Sequence, residues 1–229
     1  MDGYFNTKSP ELDELLGGGV LYGEGTLIKY HADGAADGLF VNAGIDVVDN
    51  MLTAVLLPRQ SLSPTELEKY LEMLGASLDA LLEHNQLFVL DTEDRWEERK
   101  NVFHVETLTD IQTATETALE RSRARGTVHM SDVGAVEAAI GAADARTLRR
   151  WYQTDCFRGD RDFLLEGAPV HRLPDDLIEF YESMDRQVLD VEQTTGGDLR
   201  LTIEAAPDGA VGATRTLQFS TERPFVRIL

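Results

Sequence analysis

The chain has 229 residues, with 41 Asp+Glu against 21 Lys+Arg, a formal net charge of -20 and 42% hydrophobic residues. That apolar share excludes a disordered acidic tail and is enough to bury a substantial core. No apolar run approaches the roughly 18 residues of a membrane span, Met1-Asp2-Gly3-Tyr4 does not open like a secretory signal, and Cys156, the single cysteine, excludes a disulfide framework or a cysteine-based zinc site. The expectation is an acidic globular protein of the cytoplasm, with no membrane partner.

The kind of acidity is informative. Lys8, Lys29, Lys69 and Lys100 are the only lysines; the other basic residues are arginine, and the acids are spread along the chain rather than gathered into a tail. A dispersed excess of this size repels itself at low ionic strength and is screened at about 1 M salt, where the Debye length is about 3 Å. This predicts adaptation to a cytoplasm rich in potassium salt; the other reading is an ordinary acidic protein. Nucleic acid is not an expected partner, because phosphate binding needs a basic face.

Along the chain, Ser9-Pro10-Glu11-Leu12-Asp13-Glu14-Leu15-Leu16 carries a cap, a first-turn proline and N-terminal acids, and Gly17-Gly18-Gly19 stops the helix. A buried strand over 25–30 leads into a Gly-, Ala- and Asp-rich loop at 31–38. A helical stretch over 39–50 follows, then a strand over 51–57. Ser63-Pro64-Thr65-Glu66 reads as a capping box for a leucine-faced helix that Gly75 divides. Strands are expected at 86–91 and 101–105, then a helix opened by a box at Thr109-Asp110-Ile111-Gln112 and closed by Gly126. A strand over 127–130, a long helix over about 133–156, a strand over 162–166 and a helix around Leu177–Met184 complete an alternating pattern. After about 186 come strands at 188–191, 199–203, 216–219 and 225–228, joined by turns. This predicts an α/β fold with an antiparallel edge, in a single domain over 1–229: an α/β core over about 9–185 and the edge over about 186–229.

Two segments carry a family resemblance. The run Ser9 to Ile28 resembles the opening of RecA-superfamily ATPases of the KaiC-like branch, where a short helix, a glycine cluster and a strand lead into a phosphate-binding loop. Leu74-Gly75-Ala76-Ser77-Leu78-Asp79, with Leu82 and Gln86 to Asp91, resembles the helix and strand ahead of the catalytic segment in the same branch. Within that branch the chain is similar to KaiC-like proteins of halophilic archaea. The resemblance implies a RecA-like, mostly parallel central sheet flanked by helices, with antiparallel C-terminal hairpins, and self-association.

The departures bear on function. A working phosphate loop needs glycine-freed amides, a lysine and a Ser/Thr hydroxyl for magnesium. At that position stands Tyr30-His31-Ala32-Asp33-Gly34-Ala35-Ala36-Asp37, which puts Ala36 in the lysine's place and Asp37 in the hydroxyl's; a one-residue slip of register restores neither. Asp33 and Asp37 bring carboxylates where phosphate oxygens would lie. The glutamate pair that the family carries after its second strand is missing from Leu56-Leu57-Pro58-Arg59-Gln60. The magnesium-binding acid has one candidate, Asp132, although the resemblance puts Met130 in its place.

The expectation is therefore a catalytically degenerate domain acting as a regulatory or scaffolding module in signalling, with a protein partner, possible self-assembly, no cofactor, no catalytic residue and no metal site. The alternative is an atypical ATP binder or weak ATPase, with ATP and magnesium held by Gly34, Asp37, Gly38 and Asp132. The five histidines are scattered without an H-x-x-x-H pair, Cys156 reads as a structural thiol, and Arg146, Arg149 and Arg150 read as a solvated helix face.

Overall fold

The computed structural model describes residues 3–7, 9–32, 35, 39–40, 52–59, 62–73, 75–122, 124–157, 161–219 and 226–229. Strand β1 (Tyr4–Phe5), helix α1 (Pro10–Leu16) and strand β2 (Val20–Leu21) come first, and the two strands pair antiparallel. Gly17 ends α1 at φ 81, as expected, but the Ser9 side chain makes no capping bond. The Asp13 carboxylate, in the first turn, instead accepts hydrogen bonds from the backbone N–H and the hydroxyl of Thr7, both at 2.8 Å.

Strands β3 (Gly25–Tyr30) and β4 (Thr53–Leu57) are followed by α2 (Pro64–Met73) and α3 (Leu78–Glu83), which Gly75 separates at φ 76. The Ser63 box forms: its backbone N–H donates to Glu66 Oε2 at 3.0 Å, and Glu66 N–H donates to its hydroxyl at 3.2 Å. Strands β5 (Leu87–Asp91) and β6 (Val102–His104) lead to α4 (Leu108–Arg121). The capping box of α4 is Thr107 with Asp110, two residues before the expected one, and the helix ends at Arg121 rather than at Gly126. The expected box would pair Thr109 with Gln112, but Thr109 lies inside the helix; Thr107 has the extended backbone an N-cap needs, and Asp110 is its partner.

Strand β7 (Thr127–Asp132) runs on to the aspartate, whose carboxylate caps α5 (Val133–Trp151). Gly141, at φ 79, kinks α5, and a π-helical turn over Tyr152–Cys156 extends it with Cys156 fully buried. Strand β8 (Phe163–Pro169), helix α6 (Asp175–Met184) and strands β9 (Gln187–Gln193), β10 (Leu199–Ala205), β11 (Thr214–Phe219) and β12 (Val226–Ile228) complete the order. The expected helical stretch over 39–50 falls almost entirely outside the described residues.

Among the described residues, ten strands form one sheet in the order β12-β11-β10-β9-β3-β8-β7-β4-β5-β6. Neighbours from β9 to β6 run parallel, and those from β9 to β12 run antiparallel. The architecture is the expected one: a mostly parallel α/β sheet with an antiparallel C-terminal edge. Both faces of the parallel part are covered, which is why its strands read as near-continuous apolar runs. Ile28, Tyr30, Met130 and Leu165 pack on one face with Leu12 and Leu16 of α1 and Leu78 of α3. On the other, Val55, Phe88 and Leu164 meet Ile111 of α4 and Leu148 of α5, while Leu27 and Val188 meet Leu177 and Tyr181 of α6. Each fully buried leucine or phenylalanine in these layers contributes about 1.5–3 kcal/mol.

Candidate functional site

Because the sheet is parallel from β9 to β6, the carboxyl ends of β3, β8, β7 and β4 lie along one edge. From β3 the chain leaves toward β4, past β8 and β7; from β8 it leaves toward β9, past β3. Adjacent strands whose connections depart in opposite directions open a crevice at their carboxyl ends, where α/β sheets place ligands. The crevice beyond β3 and β8 is the candidate site.

Side chains fill its floor. Tyr30, the last residue of β3, and Asp132, the last of β7, reach toward each other across β8, and the phenol donates a hydrogen bond to Asp132 Oδ2 at 2.5 Å. The other oxygen, Oδ1, accepts from the backbone N–H of Ala135 at 2.9 Å, so the carboxylate also serves as the N-cap of α5. Asp132 pairs in register with Gly167 of β8, between the two. The space over Gly167 belongs to aromatic rings: a Cβ there would lie 2.9 Å from the ring carbons of Phe40 and 3.4 Å from that of Tyr30. Tyr30 is 4% exposed and Asp132 8%. Burial pushes the Asp132 carboxyl above its usual range; the bonds from Tyr30 and Ala135, and the charges of Arg59 and Arg172, pull the other way.

Both oxygens of Asp132 are thus engaged within the chain. A magnesium ligand must offer a carboxylate oxygen to the ion; here Oδ2 accepts from the phenol and Oδ1 from a backbone N–H. Of the residues named for the nucleotide alternative, Asp132 stands at the switch point, while Gly34, Asp37 and Gly38 lie outside the described residues, as does Asp33. Lys29, the basic residue nearest the loop, points to the opposite face, where its Nζ meets Glu182 at 2.8 Å and Glu204 at 2.6 Å. Tyr30, Phe40 and Gly167 carried no functional signal in the sequence. Tyr30 reads as the end of a buried strand, and only the fold brings it to Asp132.

Among the described residues, two further clusters could hold a metal ion. His31 joins Asp190 and Glu192 at the ends of β3 and β9, and His104 joins Asp91 and Asp94 at the ends of β5 and β6. Histidines scattered in sequence meet carboxylates because neighbouring parallel strands end at the same edge. One arginine departs from expectation altogether. Arg149 is not on a solvated face: its side chain is fully buried, with Nε 2.6 Å from Glu166 Oε2 and a terminal nitrogen 2.6 Å from Asp185 Oδ1. Arg146 pairs with Asp176, and the guanidinium of Arg150 lies 5.1 Å from the centre of the Phe180 ring.

No family model and no curated protein matches the sequence. Solved structures do match its shape. A KaiC-like protein from the hyperthermophilic archaeon Pyrococcus horikoshii superposes with a TM-score of 0.70 at 12% identity, over 98% of this chain and 97% of that one. An uncharacterized protein from Pyrococcus horikoshii, in complex with an unknown peptide, superposes with a TM-score of 0.75 at 12% identity, over 98% of both chains. The fold is KaiC-like and RecA-type, as the two resembling segments implied, and no described helix is long and apolar enough to cross a membrane.

Proposed function

We propose that this chain is a catalytically degenerate KaiC-like domain that acts through protein contacts, as a regulatory or scaffolding module in cytoplasmic signalling. The observation that carries this reading is the closed pair at the switch point, Tyr30 on Asp132, beneath the Phe40 ring. The pair occupies the carboxylate that the nucleotide alternative requires. The sequence supports the same reading, since 30–38 contains no Gly-Lys-Ser/Thr and β4 is followed by Pro58-Arg59-Gln60 rather than a glutamate pair. That a structural neighbour is described in complex with a peptide supports a protein or peptide as the partner class. Self-association is part of the proposal, and light scattering of the purified chain reads it directly.

Calorimetric titration with ATP and magnesium, in about 1 M potassium chloride to screen the acidic surface, tests the reading. No binding heat is expected. Micromolar affinity would overturn the proposal and favour the ATP binder built on Gly34, Asp37, Gly38 and Asp132; loss of that affinity in Asp132→Asn would then assign the ion's ligand.

A further inference from the structure

On the α6 face of the sheet, β3 and β9 begin apolar and end charged. Leu27 and Val188 pack beneath α6; further along the same face stand Lys29 on β3, His31 just past its end, and Asp190 and Glu192 on β9. Strand β10 adds Arg200 opposite Glu192 and Thr202 opposite Asp190. Lys29 is held by Glu182 and Glu204, and Arg200 holds Glu192 through Oε2. What remains converges on one point. His31 Nε2 lies 2.9 Å from Asp190 Oδ1 and 3.9 Å from Glu192 Oε1, and the three atoms lie within 4.8 Å of one another.

We propose that His31, Asp190 and Glu192 form a binding site for a borderline divalent transition metal ion of the zinc class, with water completing its coordination. The donor set selects the ion. One imidazole nitrogen and two carboxylate oxygens suit zinc, cobalt or manganese, whereas magnesium and calcium favour oxygen alone. The spacing agrees: bonds of about 2.1 Å in a tetrahedron set the ligand atoms about 3.4 Å apart, and 2.9 and 3.9 Å bracket that value. Charge agrees as well. The carboxylates of Glu182, Glu204, Asp190 and Glu192 face two permanent cations, Lys29 and Arg200, which leaves two negative charges for a divalent ion when the imidazole is neutral.

The surroundings already orient the ligands. Arg200 grips Glu192 Oε2 and leaves Oε1 toward His31, the outer-shell arrangement that aims a metal-binding carboxylate. The His31 backbone N–H donates to the Val191 carbonyl at 3.2 Å, fixing the end of β3 against β9. On binding, the ion replaces the His31–Asp190 hydrogen bond, and the neutral imidazole then carries its proton on Nδ1. The second cluster differs. Both Asp91 oxygens are engaged by backbone N–H groups, Oδ1 by Glu93 at 3.1 Å and Oδ2 by Trp96 at 2.9 Å, so that carboxylate organises the turn after β5.

The site stands independently of the nucleotide question, since Tyr30 and His31 point to opposite faces, and its test uses no nucleotide. The chelator-stripped full chain, in about 1 M potassium chloride to suppress loose binding to the acidic surface, is titrated with cobalt(II), followed by its visible absorption, and then with zinc against a chromophoric chelator. One ion per chain is expected, unaffected by excess magnesium. His31→Gln and Asp190→Asn, each verified as folded by circular dichroism, should weaken binding by more than ~10-fold, the loss that even outer-shell changes cause; His104→Gln should leave it unchanged. Equal binding by wild type and His31→Gln, loss in His104→Gln instead, or no stoichiometric binding overturns the proposal.

Discussion

His129 sits in the middle of β7, fully buried, with its ring centre 5.0 Å from that of Tyr152 and 6.4 Å from that of Phe157. No described group bonds either ring nitrogen, and burial lowers its pKa from 6.5 to about 3. Between those values the unfolded chain holds a proton that the folded chain does not, so stability falls as pH falls through the window, by about 1.4 kcal/mol per unit from this group. His129→Leu removes that slope and two unpartnered polar atoms. It is expected to gain ~1–2 kcal/mol at pH 7, with the gain widening at lower pH. Urea denaturation at pH 7 and pH 5 measures it, and parallel pH profiles for variant and wild type would refute it. Tyr30→Phe should act in the other direction. It deprives a buried carboxylate oxygen of its donor, at a cost of ~1–3 kcal/mol, and the same denaturation series reads the loss; an unchanged midpoint would mean that the phenol does not close the site.

Packing between elements depends on a buried charge cluster that joins α5, β8 and the junction of α6 with β9. Arg149 meets two carboxylates, Glu166 and Asp185, all three almost wholly withdrawn from water. Its contact with Asp185 is an aligned hydrogen bond, whereas the approach of Nε to Glu166 is an ion-pair contact without that alignment. Burial drives the Glu166 carboxyl well above its usual range and raises that of Asp185 too, with Arg149 opposing both, so Glu166 is the member expected to keep a proton at pH 7. Gly25, at the start of β3, is glycine for want of room: a Cβ there would lie 1.8 Å from Asp185 Oδ1. Arg149→Met should therefore cost ~3–5 kcal/mol, because it strands two buried acids, while Glu166→Gln keeps shape and charge and should stay within ~1 kcal/mol at pH 7. A Glu166→Gln loss equal to that of Arg149→Met would show Glu166 to be ionised. The contrast also explains what could be read in advance. Strand order along the chain, the Gly75 break and the Ser63 cap follow from local pattern, and the fold followed from them. The Arg149 cluster, the Tyr30–Asp132 bond and the His31 cluster did not, because each joins residues from separate strands or helices that become neighbours only once the crossovers are made. Arg149 resembled a surface arginine because its counter-charges are remote in sequence.

For the whole molecule, charge and topology act together. The N-terminal segment is tied to the C-terminal antiparallel edge: the Tyr4 hydroxyl donates to Asp208, and the Ala210 N–H donates to the Leu15 carbonyl at 2.9 Å. A net charge of -20 therefore repels across contacts that join the two ends of the chain, as well as along the surface. Screening is the remedy, and it has a characteristic salt dependence. The Debye length falls from about 10 Å at 0.1 M to about 3 Å at 1 M, so most of the relief should arrive below about 1 M. The expected result is a melting temperature that rises steeply with potassium chloride to about 1 M and then flattens, with loss of the circular dichroism signal on desalting. Sodium chloride of equal ionic strength should serve equally well if screening is the cause, and sucrose, which strengthens burial by exclusion from the surface, should not replace either salt at low ionic strength. A spectrum and a melting temperature unchanged on desalting would refute salt adaptation. A continued rise far above 1 M would replace screening with exclusion of salt from the surface as its physical basis.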